Sequence, residues 1–348
     1  MVQNIDYLPK DRPVRVGVVG LSGLAQVIHL PLLVAMEEVE LVGICDQEAF
    51  KLGKLSDKYD VPGFLDIHNF LKKVPIDVAF ICTPTISHLP LALTVLQAGA
   101  HVVVEKPVAR NLEESIRLVE AAEQYRRCAL VAMNLRFRQD VAVLKNFLRA
   151  GELGRVWRIR AGWLKCQSAW ARSHWLDQPD ISGGGVLMDL GLQILDVVNW
   201  LMDWPEVKRV VGFTYKNSLN RDVEDTVSTM IEYENKLTLQ LECSWGLMTE
   251  HNIAYTYFDG MTGSATLNPL VVHKSLQGEL VNVSPVKSFG IGELYQASFK
   301  AQLSNIIYTL RGETTTGSTA EEAVKTMRLV DLIYRSARES REIFPGDE

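Results

Sequence analysis

The stretch VGVVGLSGLAQVIH, residues 16–29, decides the fold of this chain, because a short apolar run stops at Gly20 and an amphipathic helical pattern follows. A glycine at such a junction lets the backbone turn sharply off a strand, and small residues bring the next helix close to it. The unpaired N–H groups at the start of that helix can bind a pyrophosphate. The stretch therefore predicts a strand, a turn and a helix that together hold a dinucleotide.

The turn matches the dinucleotide fingerprint G-x-G-x-x-G only in part. Ser22 occupies the second glycine position and Ala25 the third, while Gly23 follows Ser22 directly. A partial match of this kind also fits a tight strand-to-helix turn in a domain that binds no nucleotide. A second apolar run, 39–45, ends in Asp46, and an acidic residue at the end of the second strand is the expected ligand of an adenosine ribose.

Asp46 also bears on the choice of cofactor. A carboxylate accepts hydrogen bonds from ribose hydroxyls, but it repels the additional phosphate of NADP. No arginine follows at once, and Lys51 and Lys54 lie further along the predicted helix, so the sequence shows no obvious phosphate clamp. NAD is therefore the predicted cofactor, and NADP is the less favoured one.

Composition and charge restrict the class of protein. At 348 residues the chain exceeds what one core usually fills, so two domains are expected. A net charge of −6 without a basic run argues against a nucleic acid and favours a small molecule as the partner. The five cysteines lack CxxC spacing, which predicts reduced thiols and no metal site. The sequence shows neither a signal-peptide pattern nor an uninterrupted apolar stretch that would cross a membrane, so we expect a cytoplasmic protein with no membrane partner.

Strand and helix patterns alternate from residue 14 to about residue 132, which predicts a doubly wound parallel sheet with right-handed crossovers. Ligands of such sheets bind at the carboxyl ends of the strands. The residues at those ends are Gly20, Asp46, Thr83, Glu105 and Asn134. Beyond residue 137, long alternating runs such as 227–233 indicate antiparallel strands. The predicted class is α/β, with a dinucleotide-binding domain at 1–134 and an α+β domain for substrate binding and oligomerisation at 135–348.

The sharpest local signal is HVVVEKP, residues 101–107, an apolar run that ends in the charged pair Glu105 and Lys106. A lysine at the functional edge of the sheet can hydrogen-bond a substrate hydroxyl and exchange its proton while a hydride moves to or from a nicotinamide. The alternative is a solvated Glu–Lys pair at a strand end. Thr83, at the end of the fourth strand, is expected to contact the cofactor, whereas His88 has either that role or a structural one.

A second glycine-rich turn, SGGG at 182–185, indicates that the backbone closely approaches something there. A helix that begins near Gly185 would present Asp189, Gln193 and Asp196 on one face as a polar stripe toward a cleft. The alternative is a capped surface helix with solvated polar residues. Four tryptophans precede or border this turn, and aromatic faces suit a sugar or cyclitol ring, although half of them are expected to be core. They are Trp157, Trp163, Trp170 and Trp175.

Taken together, the motifs resemble the Gfo/Idh/MocA family, which includes glucose-fructose oxidoreductase and inositol dehydrogenase. The resemblance covers nearly the whole chain, through VGVVGLSGLAQVIHLPLL, ICTPTISH, AGAHVVVEKPVARN, MNLRF, SGGGVLMDLGLQILDVVNWL, VEDTVSTMIEY and AEEAVKTMRLVDLIYRSAR. It implies a Rossmann domain and a second domain whose large, open, mainly antiparallel sheet joins a homodimer or homotetramer. Members of the family mostly oxidise a secondary alcohol of a sugar, sugar nucleotide or cyclitol with NAD or NADP.

The resemblance also implies roles for individual residues. The pyrophosphate would lie against Gly20, Ser22, Gly23, Leu24 and Ala25, and the adenosine ribose against Asp46. The nicotinamide half would contact Thr83, Pro84, His88, Glu105, Lys106 and Asn134. Lys106 would be the catalytic lysine of the family, and Asp189 its helix-borne carboxylate. With the tryptophans included, the predicted substrate-binding residues are Lys106, Trp163, Trp175, Asp189 and Gln193.

The chain departs from the family pattern at two positions. Ser22 replaces the usual second glycine and adds a hydroxyl donor. Gln193 stands where dehydrogenases of the family commonly carry a histidine, and losing a general base costs roughly 10²- to 10⁴-fold in rate. Lys106, Asp189 or His174 could take the proton instead. Lys106 is preferred, because hydride transfer already requires a group beside the reacting carbon.

The sequence thus predicts an NAD-linked oxidoreductase acting on a polyhydroxylated ring. Its predicted catalytic residues are Lys106 as acid/base, Asp189 as electrostatic partner and Gln193 as substrate anchor. A rival hypothesis is a catalytically weak or inactive sensor that binds NAD and a sugar, and Gln193 supports it. A third, less favoured hypothesis is elimination or hydrolysis assisted by NAD without net oxidation.

Overall fold

The computed structural model describes residues 5–166, 174–217, 221–285, 290–314 and 317–347. The chain forms two compact units. The first comprises the chain up to Met133 together with Phe299–Lys325, and the second comprises Asn134–Ser298 together with the chain from Thr326 onward. The sequence had assigned residues 299–325 to the domain 135–348, whereas in the structure this segment packs with the first unit.

The first unit is built on a parallel sheet of six strands in the described part of the chain. They are β1 (Val14–Val19), β2 (Val39–Cys45), β3 (Gly63–Phe64), β4 (Val78–Ile81), β5 (His101–Glu105) and β6 (Ala129–Ala132). Their spatial order is β3-β2-β1-β4-β5-β6, and every neighbouring pair is parallel. This is the order of the doubly wound dinucleotide-binding fold, whose ligands bind where the strand order reverses, between β1 and β4. The predicted Rossmann fold is confirmed.

The described residues contain ten α-helices. They are α1 (Leu30–Val34), α2 (Ala49–Tyr59), α3 (Ile67–Lys73), α4 (His88–Gln97), α5 (Leu112–Tyr125), α6 (Gln139–Arg149), α7 (Pro179–Ser182), α8 (Leu192–Leu201), α9 (Ile291–Leu310) and α10 (Ala320–Glu339). A π-helical turn, Ala25–His29, leads into α1, and a second one, Leu187–Gly191, leads into α8. Single π-turns occur often at functional sites, since the additional residue redirects the side chains around it.

Apolar burial explains both the buried strands of the first unit and the packing of α9 against them. All residues of β4 and β6 are buried, as expected of strands that helices cover on both faces. The second half of α9 contributes Leu303, Ile306 and Leu310 to the cluster that contains Val16 of β1 and Leu30 of α1. Because these residues recur at helical spacing, one face of α9 is apolar, and it completes the core of the first unit.

The second unit contains an open sheet of eight strands among its described residues. They are β7 (Val156–Cys166), β8 (Val207–Tyr215), β9 (Thr226–Tyr233), β10 (Thr238–Leu247), β11 (Ile253–Gly260), β12 (Gly263–Leu267), β13 (Val271–Leu276) and β14 (Glu279–Asn282). The spatial order is β14-β13-β12-β11-β7-β10-β9-β8. Only β7 and β10 pair in parallel; the other described pairs are antiparallel. This confirms the predicted large, mainly antiparallel sheet.

The long apolar segment Pro179–Leu201 passes the length and composition test for a membrane-spanning helix, but 78% of its most apolar window is buried inside the protein. It includes α7, the glycine-rich turn and α8. Asp180, Asp189 and Asp196 interrupt it. The segment is therefore the core helix of the second unit.

Candidate active site

Gly20 ends β1 at the point where three strands of the first unit meet. It has a φ of +86°, a conformation that side chains rarely adopt. Its N–H donates to the carbonyl of Cys45, and a Cβ at this position would lie 2.5 Å from Cγ2 of Thr83. Both the backbone conformation and the close approach of β4 therefore require glycine here.

Ser22 and Gly23 form the exposed part of the same turn. The Ser22 hydroxyl accepts a hydrogen bond from the N–H of Ala25 at 3.3 Å, so the residue that replaces the second glycine stabilises the start of the π-turn. A Cβ at Gly23 would meet no atom of the described residues within 4 Å. Leu24 is half-buried and Ala25 is buried beneath the turn. The turn thus presents open backbone on its outer side, which is the form that a phosphate cradle takes.

Asp46 links the end of β2 to this turn. Its Oδ2 accepts from the N–H of Leu21 at 2.6 Å, and its Oδ1 accepts from the N–H of Glu48 at 2.9 Å. Lys51 lies 3.0 Å from Oδ2. Burial raises the pKa of Asp46, but the two N–H donors and the Lys51 ammonium outweigh it, so the net pKa lies below the usual range. Asp46 is therefore ionised at neutral pH.

Thr83 follows β4 and faces the Gly20 turn. Its Oγ1 is buried and has no hydrogen-bond partner among the residues that the structure describes. Pro84 is exposed, and a short 3₁₀ turn over Thr85–Ser87 follows it. A buried hydroxyl without a partner at the ligand-binding edge of a sheet is suited to a hydrogen bond with a bound molecule. Together with the open cradle at Gly23, this hydroxyl fits a dinucleotide.

His88 joins two loops from a buried position. Its Nδ1 lies 2.8 Å from the carbonyl oxygen of Pro107, and its Nε2 lies 2.8 Å from that of Thr83. Burial lowers the pKa of His88 more than the two carbonyls raise it, so the ring is neutral near pH 7. His88 thus connects the end of β4 to the residue that follows Lys106. The sequence expected either a cofactor contact or a structural role, and every contact observed here is with the backbone.

Glu105 and Lys106 lie at the end of β5. Oε1 of Glu105 lies 2.6 Å from Nε2 of His29, and its Oε2 accepts from the N–H of Lys106 at 3.2 Å. Lys106 is half-buried. The Glu–Lys pair is therefore not a loose pair of solvated side chains, because Glu105 is held on both oxygens.

Two residues of this region were not among those predicted from the sequence. His29 lies on the buried side of its π-turn, and Lys51 pairs with Asp46 from the first turns of α2. A histidine that follows Ala25 by four residues on an apolar helix face was the available signal for the first. The spacing of Lys51 from Asp46 gave a weaker signal for the second.

In the second unit, the glycine-rich turn closes on side chains of the chain itself. A Cβ at Gly184 would overlap the hydroxyl of Tyr334, and a Cβ at Gly185 would overlap the carbonyl oxygen of Glu224. The Glu224 carboxylate accepts from the N–H groups of Gly185 and Leu187 at 3.0 Å and from the Tyr334 hydroxyl at 2.9 Å. Burial raises the pKa of Glu224 more than these donors lower it. The close approach that the glycines predicted is therefore made by Glu224 and Tyr334.

Asp189 lies on the π-turn that follows. Its Oδ2 accepts a hydrogen bond from the indole N–H of Trp245 at 3.1 Å. The guanidinium of Arg221 lies over the Trp245 ring, with its carbon 5.6 Å from the ring centre. The Asp189 carboxylate is thus oriented by a neighbouring strand residue.

The polar stripe predicted on this helix is only partly present. Gln193 is 6% exposed, and its amide donates to the backbone carbonyl of Asp189 at 2.7 Å. Asp196 is 1% exposed and forms a two-pronged ion pair with Arg136, at 2.5 and 2.6 Å. Asp196 therefore belongs to the core of the second unit, because an unpaired carboxylate could not be buried there.

The remaining predicted residues are distributed through the second unit. Asn134 is buried, and its amide donates to the hydroxyl of Ser298. Trp163 and Trp175 are half-buried, whereas Trp157 is 40% exposed. Trp170 and the side chain of His174 lie outside the described residues.

Two models of one protein family together match most of the chain. Residues 14–133 match the family model for the NAD-binding Rossmann fold of the Gfo/Idh/MocA oxidoreductases, and residues 145–344 match the model for the C-terminal α/β domain of that family. The chain is 26% identical over 341 residues to D-glucoside 3-dehydrogenase of Escherichia coli K12, an alignment that covers 93% of this chain and 95% of that protein.

Two solved structures share the fold over nearly their whole length. The WlbA dehydrogenase of Bordetella pertussis, in complex with NADH and UDP-GlcNAcA, has a TM-score of 0.83 at 22% identity and covers 97% of this chain and 100% of its own. A levoglucosan dehydrogenase, in complex with NADH and levoglucosan, has a TM-score of 0.84 at 21% identity, with coverage of 97% and 100%. The chain therefore belongs to the Gfo/Idh/MocA family of oxidoreductases, as its motifs predicted.

Proposed function

We propose that this protein is an NAD-linked dehydrogenase that oxidises a secondary alcohol of a sugar, sugar nucleotide or cyclitol, or reduces the corresponding ketone. The observation that carries the proposal is the convergence of functional groups at the carboxyl ends of β1, β2, β4 and β5. Three features occur at this edge: the open backbone at Gly23, the ionised carboxylate of Asp46, and the Thr83 hydroxyl, which has no partner in the part of the chain that the structure describes. The proposed sugar substrate is supported by the similarity of the chain to D-glucoside 3-dehydrogenase and to levoglucosan dehydrogenase.

The proposed cofactor contacts follow from this geometry and from the family. The turn Gly20, Ser22, Gly23, Leu24 and Ala25 would hold the pyrophosphate, and Asp46 the adenosine ribose. Thr83, Pro84, Glu105, Lys106 and Asn134 would surround the nicotinamide half. His88 would support this group through its contacts with the carbonyl oxygens of Thr83 and Pro107. The nicotinamide supplies a hydride acceptor, or in the reverse direction a hydride donor.

NAD is proposed over NADP because Asp46 is ionised. Its negative charge attracts ribose hydroxyls as hydrogen-bond donors and repels an additional phosphate. Lys51 lies 3.0 Å from the carboxylate and weakens this repulsion, but the carboxylate keeps its negative charge. Steady-state kinetics with both cofactors test the assignment, and we expect the lower KM for NAD.

Lys106 is the proposed acid/base. During oxidation its neutral amine takes the proton of the substrate hydroxyl, and during reduction its ammonium returns that proton to the carbonyl oxygen. Gln193 cannot take over this task, because a side-chain amide does not accept a proton at neutral pH. Its N–H donates to the Asp189 carbonyl, which fixes the orientation of the amide. We assign Gln193 to substrate anchoring, Asp189 to electrostatic support, and Trp163 and Trp175 to the apolar faces of the sugar ring.

The decisive experiment is incubation of the pure protein with NAD and a broad panel of sugars, cyclitols and sugar nucleotides, with NADH followed by absorbance. We expect at least one substrate to be oxidised. Lys106→Met should then lose about 10²- to 10⁴-fold in kcat while it still binds NAD. A wild-type protein that reduces no NAD with any compound of the panel would contradict the proposal.

The absence of a histidine at position 193 favours one second candidate, a sensor that binds NAD and a sugar without turnover. Under this hypothesis both ligands raise the thermal unfolding temperature together, but the oxidation state of the nicotinamide does not change. Elimination or hydrolysis assisted by NAD would instead give a modified sugar without net NADH. Product analysis of the same incubations separates the three outcomes.

We also propose that the outer face of the eight-stranded sheet joins a homodimer or homotetramer. Phe213 on β8 and Met230 on β9 are exposed on this face, and the neighbouring Gln240 and Arg160 are polar or charged. A mixed face of this kind resembles a protein interface more than a core. Light scattering after size exclusion tests the assembly, and Phe213→Glu should shift it toward the monomer. The cytoplasmic location stays a prediction.

A further inference from the structure

His29 occupies a position from which it can act on the candidate active site without touching a ligand. Its side chain is 1% exposed, and its ring is held between Phe80 of β4, with ring centres 6.0 Å apart, and Phe299 of α9, at 6.4 Å. Its Nε2 lies 2.6 Å from Oε1 of Glu105. The two aromatic rings therefore fix the direction in which the imidazole reaches Glu105.

The second ring nitrogen of His29, Nδ1, differs from the first in its surroundings. Nδ1 is buried and lacks a hydrogen-bond partner among the described residues. If Nε2 carries the proton, it donates to Glu105, and Nδ1 is an acceptor without a partner among the described residues. An apolar side chain would fill this aromatic site without burying a polar atom that lacks a partner, which costs stability. The interaction with Glu105 is the contact that distinguishes His29 from such a residue.

Glu105 transmits this contact to Lys106. One carboxylate oxygen meets His29, and the other accepts the main-chain N–H of Lys106 at 3.2 Å. The charge of Glu105 also acts on two neighbours, His88 and Cys82. His88 contacts the carbonyl oxygen of Pro107, the residue after Lys106. The backbone is therefore held at the N–H of Lys106 and at the carbonyl that follows.

We propose that His29 is a positioning residue of the reaction, acting through Glu105 to fix the backbone of Lys106 and hence the direction of its amine. This inference rests on the proposed function of Lys106 as the acid/base. The residue does not contact the substrate, so its removal changes the orientation of a catalytic group rather than the binding of a ligand.

Kinetics of two variants of His29 test the proposal. His29→Leu fills the aromatic site but removes the donor, whereas His29→Gln keeps an N–H that can reach Glu105. For His29→Leu we expect kcat to fall about 10- to 100-fold, because small misplacement of a catalytic group has effects of that size. We expect the KM for NAD to change less than about threefold, and His29→Gln to recover part of kcat.

His101 provides a matched control. It is as buried as His29 and lies at the start of β5, the strand that ends in Glu105, where its Nδ1 accepts from the N–H of Cys128. His101→Leu should lower the unfolding temperature without changing kcat. Equal losses of kcat in His29→Leu and His101→Leu would overturn the proposal, as would a loss confined to the KM for NAD.

A double variant tests whether His29 acts through Glu105. Glu105→Gln should lower kcat, and adding His29→Leu to it should cause little further loss, since residues in one chain of contacts are not additive. Losses that multiply would show that His29 acts by another route. If His29→Leu does not fold, His29→Gln and its double variant with Glu105→Gln provide the same comparison.

A measurement independent of turnover separates this inference from the proposed function. Reductive methylation with isotope-labelled formaldehyde gives each lysine an NMR signal, and Lys106→Arg identifies that of Lys106. We expect this signal to shift in His29→Leu and to stay in place in His101→Leu. A shift in a protein that oxidises no sugar would support the positioning of Lys106 and refute only the proposed reaction. An unmoved signal in an active enzyme would refute the positioning alone.

Discussion

The two glycine-rich turns of this protein look alike in sequence, yet they serve opposite purposes. At the first turn, a Cβ on Gly23 would meet nothing within 4 Å, so the backbone faces open space. At the second turn, a Cβ on Gly185 would overlap the backbone of Glu224. At the second turn glycine is needed because a segment of the same chain approaches it, whereas at the first turn no described segment does, and we propose that a cofactor approaches there.

Each turn also donates backbone N–H groups to a carboxylate. Asp46 accepts from Leu21 at the first turn, and Glu224 accepts from Gly185 and Leu187 at the second. The pKa of Asp46 is lowered, since Lys51 and the N–H donors outweigh its partial burial, whereas deeper burial raises the pKa of Glu224. Similar local hydrogen bonds therefore accompany pKa shifts in opposite directions.

The largest expected effect is on stability, at the second turn. Gly185→Ala places a methyl group against the Glu224 backbone, which cannot move aside without breaking the contacts of its carboxylate. We expect the free energy of unfolding to fall by about 3 kcal/mol or more. Thermal unfolding measures it, with Gly246→Ala as the control, because a Cβ at Gly246 meets nothing within 4 Å. Equal stabilities of the two variants would remove the distinction between the turns.

The next effect is on cofactor binding, at the first turn. Gly23→Val adds a side chain to the open face of the cradle, so we expect NAD affinity to fall about 10- to 100-fold, or roughly 1.4–2.8 kcal/mol. The unfolding temperature without NAD should change little. Gly53→Val, at another open glycine on α2, controls for the added valine. If NAD binds equally well to both variants, the first turn is not a phosphate cradle.

A smaller effect is expected at the helix that follows the second turn. Trp245→Phe removes the indole N–H that donates to Asp189, and hydrogen bonds to charged groups contribute about 1.5–3 kcal/mol. We expect kcat/KM for the sugar to fall about tenfold, with NAD binding unchanged. Tyr233→Phe removes a buried hydrogen bond to Asn199 in the same unit and should leave kcat/KM as it is. A change in NAD affinity for Trp245→Phe would place its role elsewhere.

The smallest expected effect is the difference in pH dependence between the two carboxylates. The folded-state pKa of Asp46 is below its ordinary value of 3.8, so its contribution to stability is present above that value and is lost as the pH falls through the folded-state pKa. The folded-state pKa of Glu224 lies above its ordinary value of 4.5. The contribution of Glu224 to stability is therefore present below 4.5 and is lost as the pH rises through the folded-state pKa.

Urea unfolding of the wild type, Asp46→Asn and Glu224→Gln over a pH series measures both contributions. The stability difference between the wild type and Asp46→Asn should shrink toward acid pH, and the difference for Glu224→Gln should shrink toward neutral pH. Differences that move in the same direction with pH would contradict the opposite pKa changes.

Most of the first unit could be predicted from its sequence, since buried parallel strands are continuous apolar runs. The alternation predicted from residue 14 to about residue 132 matches the span from the start of β1 to the end of β6. The two-residue strand β3 is the exception, because it has too few residues for a pattern to stand out. The contact between His29 and Glu105 was missed because 76 positions separate them along the chain.

The amino-acid sequence by itself determined that charged and polar residues end the strands of a parallel sheet, because the apolar runs and the residues that terminate them are local. Only the tertiary structure decided what fills each glycine turn. Glu224 and Tyr334 reach Gly184 and Gly185 from distant parts of the chain, and no local pattern encodes that approach. Asp196 is the same kind of case, because its pairing with Arg136 converts an apparent site residue into part of the core.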